Sequence, residues 1–229
     1  MQAAVRIDET RAPWLWWAAL AVGVTYMLPV ALALSGPSII LWKGAGVALL
    51  ALWAAANGRD RFGQMAALVL GFGALGDVLL ETSGLMIGAF AFLFGHVIAI
   101  GLYNQNPRPA LTGSQRLLTA VVTPLSLVIA WFLLRNVGMF STAMFAGALF
   151  YALVVAVMAA SAWMSSFPRY RVGLGAMLFL ISDLLIFARM GGAVPPGLAR
   201  MAIWPLYFGG QALIAWGLVT TLAARRHAN

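Results

Sequence analysis

Three carboxylates stand inside otherwise apolar stretches of this chain. In "LGDVLLE" (75–81), Asp77 and Glu81 are four residues apart, so on a helix they share one face, a turn apart. "FLISDLLIF" (179–187) carries Asp183 directly after Ser182. The whole chain of 229 residues holds only 6 acidic residues, so half of them lie in these two segments. His96 in "FGHVIA" and Lys43 in "LWKGAG" are similarly isolated among apolar neighbours. Carboxyl pairs suit acid–base work: one delivers a proton, while the other stabilises a cation or positions water. Two like charges sharing a pocket separate into those two roles. Three carboxylates and a histidine could also hold a hydrated divalent ion. No G-x-S-x-G elbow, H-E-x-x-H motif or cysteine cluster accompanies them. Neighbours on a helix point about 100° apart, so Ser182 and Asp183 do not read as a nucleophile–base pair. This reading assigns no cofactor and leaves a divalent ion open.

The elements that must position these groups are membrane spans. Hydrophobic residues make up 63% of the chain, charged residues 9%, and the mean hydropathy is +0.93. A soluble domain carries roughly a quarter charged residues. The composition is therefore that of an all-α integral membrane protein, and the net charge of +8 does not point to nucleic acid. A span needs about 20 mostly apolar residues. Eight windows qualify, at about 14–35, 38–56, 64–82, 85–103, 117–135, 139–162, 171–190 and 202–223. The connections are too short for a further folded domain, so residues 1–229 read as one helical bundle. "ALALSG" contains an A-x-A pattern, but Asp8 and Glu9 precede it and the apolar run is long for a signal peptide.

Counting arginines predicts the orientation. Ten lie in the tails and even-numbered loops (Arg6, Arg11, Arg59, Arg61, Arg108, Arg116, Arg169, Arg171, Arg225, Arg226), against Arg135, Arg189 and Arg200 opposite. Positive residues collect on the cytoplasmic side, so both termini are expected there, in the inner (plasma) membrane of a bacterium. Trp14, Trp16, Trp17, Trp42, Trp163 and Trp204 near span ends suggest an interfacial belt. At 1.5 Å per residue, Asp77 and Asp183 then lie roughly 10 Å below the outer surface, Lys43 about 7 Å and His96 about 16 Å. Glu81 is near that surface, Tyr207 and Gln211 share its half, and Tyr151 is near the middle. Intramembrane ionisable groups usually face the bundle interior and mark function. Asp77 and Asp183 are the candidate catalytic pair, facing one cavity; the other polar residues, with Ser182, are candidate supporting or binding groups. "FGHVIAIGL" (94–102) also echoes "FGGQALIAWGL" (208–218), as a parallel four-plus-four duplication would produce.

"GALGDVLLE", "FLFGH", "FYALVVAVMAASA", "GAMLFLISDLLIFARM" and "YFGGQALIAWGL", with Lys43, resemble the YhhN-like family from about residue 40 to 220. The chain departs from the family pattern at Ala99, where a tyrosine is frequent, and at Leu184, where a small polar residue is. The resemblance implies an eight-helix lysoplasmalogenase. Such an enzyme hydrolyses the vinyl ether of a lysoplasmalogen drawn from the bilayer, releasing a fatty aldehyde and a glycerophospho-headgroup. A proton-coupled transporter of small molecules or lipids would use similar intramembrane carboxylates and is the competing expectation.

Overall fold

The computed structural model describes residues 6–135, 137–138 and 140–227. Among these, eight helical segments are long and apolar enough to cross a membrane. The first breaks into α1 (Pro13–Thr25) and α2 (Met27–Ala31). The others are α3 (Pro37–Asn57), α4 (Arg61–Thr82), α5 (Leu85–Asn104), α6 (Gly113–Leu134), α7 (Thr142–Met164), α8 (Leu174–Met190) and α9 (Pro196–His227). Proline opens α1, α3 and α9, where its missing N–H costs nothing. Side chains of Asp60, Thr112 and Ser141 cap α4, α6 and α7 by accepting from backbone N–H groups. A π-helical turn at Arg169–Gly173 leads into α8.

The expected spans are all present, with shifts of a few residues at their ends, of which two are informative. The first helix stops at Ala31 instead of continuing to 35, because Pro29 lies inside it and Ala33 takes a left-handed conformation. The last is longer than 202–223, running from Pro196 through Arg225 and Arg226. Those polar ends read as loop from sequence, yet they make contacts. Arg225 donates to Asn106 Oδ1 at 2.7 Å and Ser166 Oγ at 2.9 Å, and Arg226 donates to the carbonyl of Asn57.

Apolar matter alone does not drive helices together in lipid; close packing and interhelical hydrogen bonds do. The α8–α9 contact illustrates the first. A Cβ added at Gly175 would fall 2.6 Å from the Gly210 carbonyl oxygen, and one at Gly210 equally close to that of Gly175. Trp204 illustrates the second: it donates to the Gly23 carbonyl at 2.7 Å and stacks on Phe208. Trp204 and Trp16 are therefore core residues and not part of an interfacial belt, since Trp16 packs against Trp53 at 5.0 Å. Trp14 and Trp17 are exposed on the surface.

The main core runs through α1, α3, α4, α5, α7, α8 and α9. A smaller one joins α6, α7 and α8 around Ala130, Leu134, Ala152 and Phe187. An even number of spans brings both termini to one end, where the contacts of Arg225 and Arg226 tie α9 to the end of α3 and to the loops after α5 and α7. Reporter fusions at Arg226 and at Pro195 should give opposite signals, cytoplasmic for Arg226; the reverse pattern would overturn the orientation expected from the arginines.

Candidate functional site

Each intramembrane aspartate is buried and paired with a tyrosine on a neighbouring helix. On α4, Asp77 Oδ2 accepts from the Tyr207 hydroxyl of α9 at 2.8 Å. On α8, Asp183 Oδ2 accepts from the Tyr151 hydroxyl of α7 at 2.8 Å. Ser182 donates to the Phe179 carbonyl at 2.8 Å and lies 3.5 Å from Asp183 Oδ1. Its strong bond is thus a local helical one, and it is not poised as a nucleophile. The two pairs are matched: an acceptor carboxylate, an aromatic donor, and a neighbouring helix supplying it.

A cavity of about 320 Å³ lies between α5, α7 and α8, with Leu80 and Phe140 also in its lining. Asp183 and Tyr151 line it, among side chains that are otherwise apolar. Several of its wall residues, Met86, Phe90 and Phe150, are also exposed on the outside of the bundle. The cavity therefore opens sideways, toward the surface that faces lipid.

Asp77 is not among its lining residues, which differs from the expectation of one shared cavity. The Phe92 ring explains this. Phe92 lines the cavity, presses against Gly76 so closely that a Cβ there would fall 2.7 Å from it, and meets Tyr207 edge-on at 5.8 Å. The ring stands between the Asp77–Tyr207 pair and the cavity. Phe179 completes the partition, edge-on to Phe92, Tyr207 and His96.

The supporting residues divide into two groups. His96 and Gln211 are buried beside this partition, with the His96 ring 5.9 Å from that of Tyr151. Lys43 and Glu81 form a separate ion pair of 2.7 Å at the more exposed end of α3 and α4. Lys43 does not bond either aspartate. No group of three or more His, Cys, Asp or Glu side chains converges as a metal-ligand set among the described residues. Because the Glu81 side chain is 43% exposed, the ion pair should contribute little. A double-mutant cycle with Lys43→Met and Glu81→Gln in detergent should give a coupling of about 0.2–1 kcal/mol. A much larger coupling would mean that the pair is shielded from water and organises the site.

Sequence reading passed over Phe92, Phe179 and Tyr103. Tyr103 had a usable signal: it lies seven residues after His96, hence on the same face of α5. The aromatic partition had none, since phenylalanine is ordinary in any span.

The arrangement defines a class: a multi-pass helical membrane protein with two intramembrane carboxylate–tyrosine pairs beside a lipid-facing cavity. Within that class, the chain belongs to the YhhN family, whose model matches residues 38–218. Neither the curated proteins nor the solved structures give a match.

Proposed function

We propose that the protein is a membrane-embedded hydrolase that cleaves the vinyl ether bond of lysoplasmalogens. The observation that carries this reading is the sideways-open apolar cavity whose polar groups are Asp183 and the Tyr151 hydroxyl, in a chain of the YhhN family. One alkenyl chain fits its apolar walls, and a single carboxyl at the wall suits a reaction begun by protonation.

Asp183, in its acid form, gives its proton to the alkene carbon beta to the ether oxygen. The electron pair of the double bond forms the new C–H bond, leaving an oxocarbenium ion. Tyr151 holds Asp183 Oδ2, which fixes the carboxyl and keeps Oδ1 free for the proton. Once the Phe92 ring swings aside from Tyr207, water adds to the cationic carbon and gives a proton to the Asp77 carboxylate, which Tyr207 holds in place. The resulting hemiacetal collapses. Its hydroxyl proton goes to Asp183, the bond to the glycerol oxygen breaks, and Asp77 returns a proton to that oxygen. One water is consumed, one aldehyde and one alcohol are released, and both carboxyls are reset. The division of labour follows the two-carboxylate logic of glycoside hydrolysis, where one group protonates and the other handles water.

The test is aldehyde release by purified protein given lysoplasmalogen, with an acyl lysophospholipid as control. The expected result is aldehyde from the first and no fatty acid from the second. No aldehyde from well-folded protein would overturn the proposal and favour the transporter expectation.

A further inference from the structure

Three buried side-chain atoms lack a hydrogen-bond partner among the described residues: His96 Nε2, Tyr103 Oη and Arg108 Nε. His96 and Tyr103 both line one small cavity of about 10 Å³, together with Gln211, Gly73, Ala99 and Met158. His96, Tyr103 and Gln211 are all more than nine-tenths buried. A void of about 10–15 Å³ accepts one water, provided that two to four polar groups hold it. An unsatisfied buried donor or acceptor is destabilising, and here two would line one void for no gain.

The helix geometry explains how they converge. Tyr103 is two turns beyond His96 on α5, and helical side chains lean toward the N-terminus, so its hydroxyl reaches back toward the histidine. Ala99 lies between them and supplies no bulk, which leaves the space. Gln211 is one turn from Tyr207 on α9, and its amide nitrogen rests so close to Gly73 that a Cβ there would fall 2.6 Å from it. Gly73 in turn stands one turn before Asp77, and its carbonyl lies 3.4 Å from the Tyr207 hydroxyl. Phe92 lines both this cavity and the larger one. Polar groups therefore run from Tyr103, near the arginine-rich end, to the Asp77–Tyr207 pair, on the opposite side of Phe92 from the apolar cavity.

We propose that this small cavity is a hydration site, in which His96, Tyr103 and Gln211 hold one water molecule, and that it stores the water consumed in hydrolysis. The supply role rests on the hydrolase reading above; the hydration site does not. Lipid and water then approach from opposite sides of one aromatic wall, and the oily cavity need not admit water.

Two measurements need no activity. Tyr103→Phe should lower the melting temperature in detergent, because it removes a hydrogen bond to the held water. If the cavity is dry, the same change deletes an unsatisfied hydroxyl and raises the melting temperature, which would overturn the hydration site. Radiolytic footprinting should oxidise Met158 readily although it is 2% exposed, and Ala99→Leu, which fills the cavity, should cut that labelling several-fold. Equal labelling in both would overturn the site as well. For the supply role, folded Ala99→Leu should lower kcat on lysoplasmalogen by tenfold or more with KM unchanged. An unchanged kcat would remove that role. If wild-type protein releases no aldehyde, the hydrolase reading fails, while the melting and footprinting results still decide the hydration site.

Discussion

Asp183→Asn should abolish most aldehyde release while leaving the protein folded. Asparagine keeps the size of the side chain and can still accept from Tyr151, so the 2.8 Å contact survives as a neutral hydrogen bond. What is lost is the transferable proton facing the cavity. General acid catalysis is worth about 10²–10⁴ in rate, and kcat should fall by that factor with KM nearly unchanged. Asp77→Asn should also lower kcat, through the water-handling step. Because the two groups act in one proton cycle, the double variant should be little worse than Asp183→Asn alone. Multiplied losses would mean that the carboxylates act independently. Near-normal turnover by Asp183→Asn would overturn the two-carboxylate mechanism. His96→Gln and Glu81→Gln should cost less, since neither residue transfers a proton in that cycle.

The largest effect on stability is expected where α8 meets α9. Gly175 and Gly210 face each other's carbonyls, and a Cβ on either would fall 2.6 Å from backbone oxygen. No flexible side chain is available to move aside, so the helices themselves must separate. Overpacking usually costs about 1–3 kcal/mol, and backbone-to-backbone contact puts Gly175→Val at the upper end. Gly147→Val is the control, because nothing lies within 4 Å of an added Cβ there. Melting curves in detergent should show a marked loss for Gly175→Val and little for Gly147→Val. Equal, small losses would show that the close approach is not what joins these helices. Since α8 carries Asp183 and α9 carries Tyr207, the destabilised variant should also lose activity.

The spans were legible because lipid imposes a simple rule: about 20 apolar residues in a row, punctuated by turns. Asp77, Asp183, Tyr151 and Tyr207 were legible for the complementary reason, since polar groups are rare in that setting and stand out. What sequence did not reveal is which way each helix faces. The facing depends on the packing of neighbours, so Asp183 opens on the larger cavity while Asp77 lies behind Phe92. The same blindness placed Trp16 and Trp204 at the interface, when packing buries both. The ends of α9 were misjudged because Arg225 and Arg226 look like tail residues until Asn57, Asn106 and Ser166 are seen to receive them.

The division of the interior into two apolar clusters has a thermodynamic consequence. The larger cavity runs along their boundary, with Leu80 and Phe92 on the side of the main cluster and Phe140, Ala148 and Phe187 on the other. Tyr151 and Leu184 pack against both. The cavity thus touches both clusters, and a ligand lodged there would contact both. By mass action, whatever occupies that boundary shifts the equilibrium toward the folded state. Occupancy and stability become one linked quantity, and Tyr151, whose hydroxyl holds Asp183, packs against both clusters.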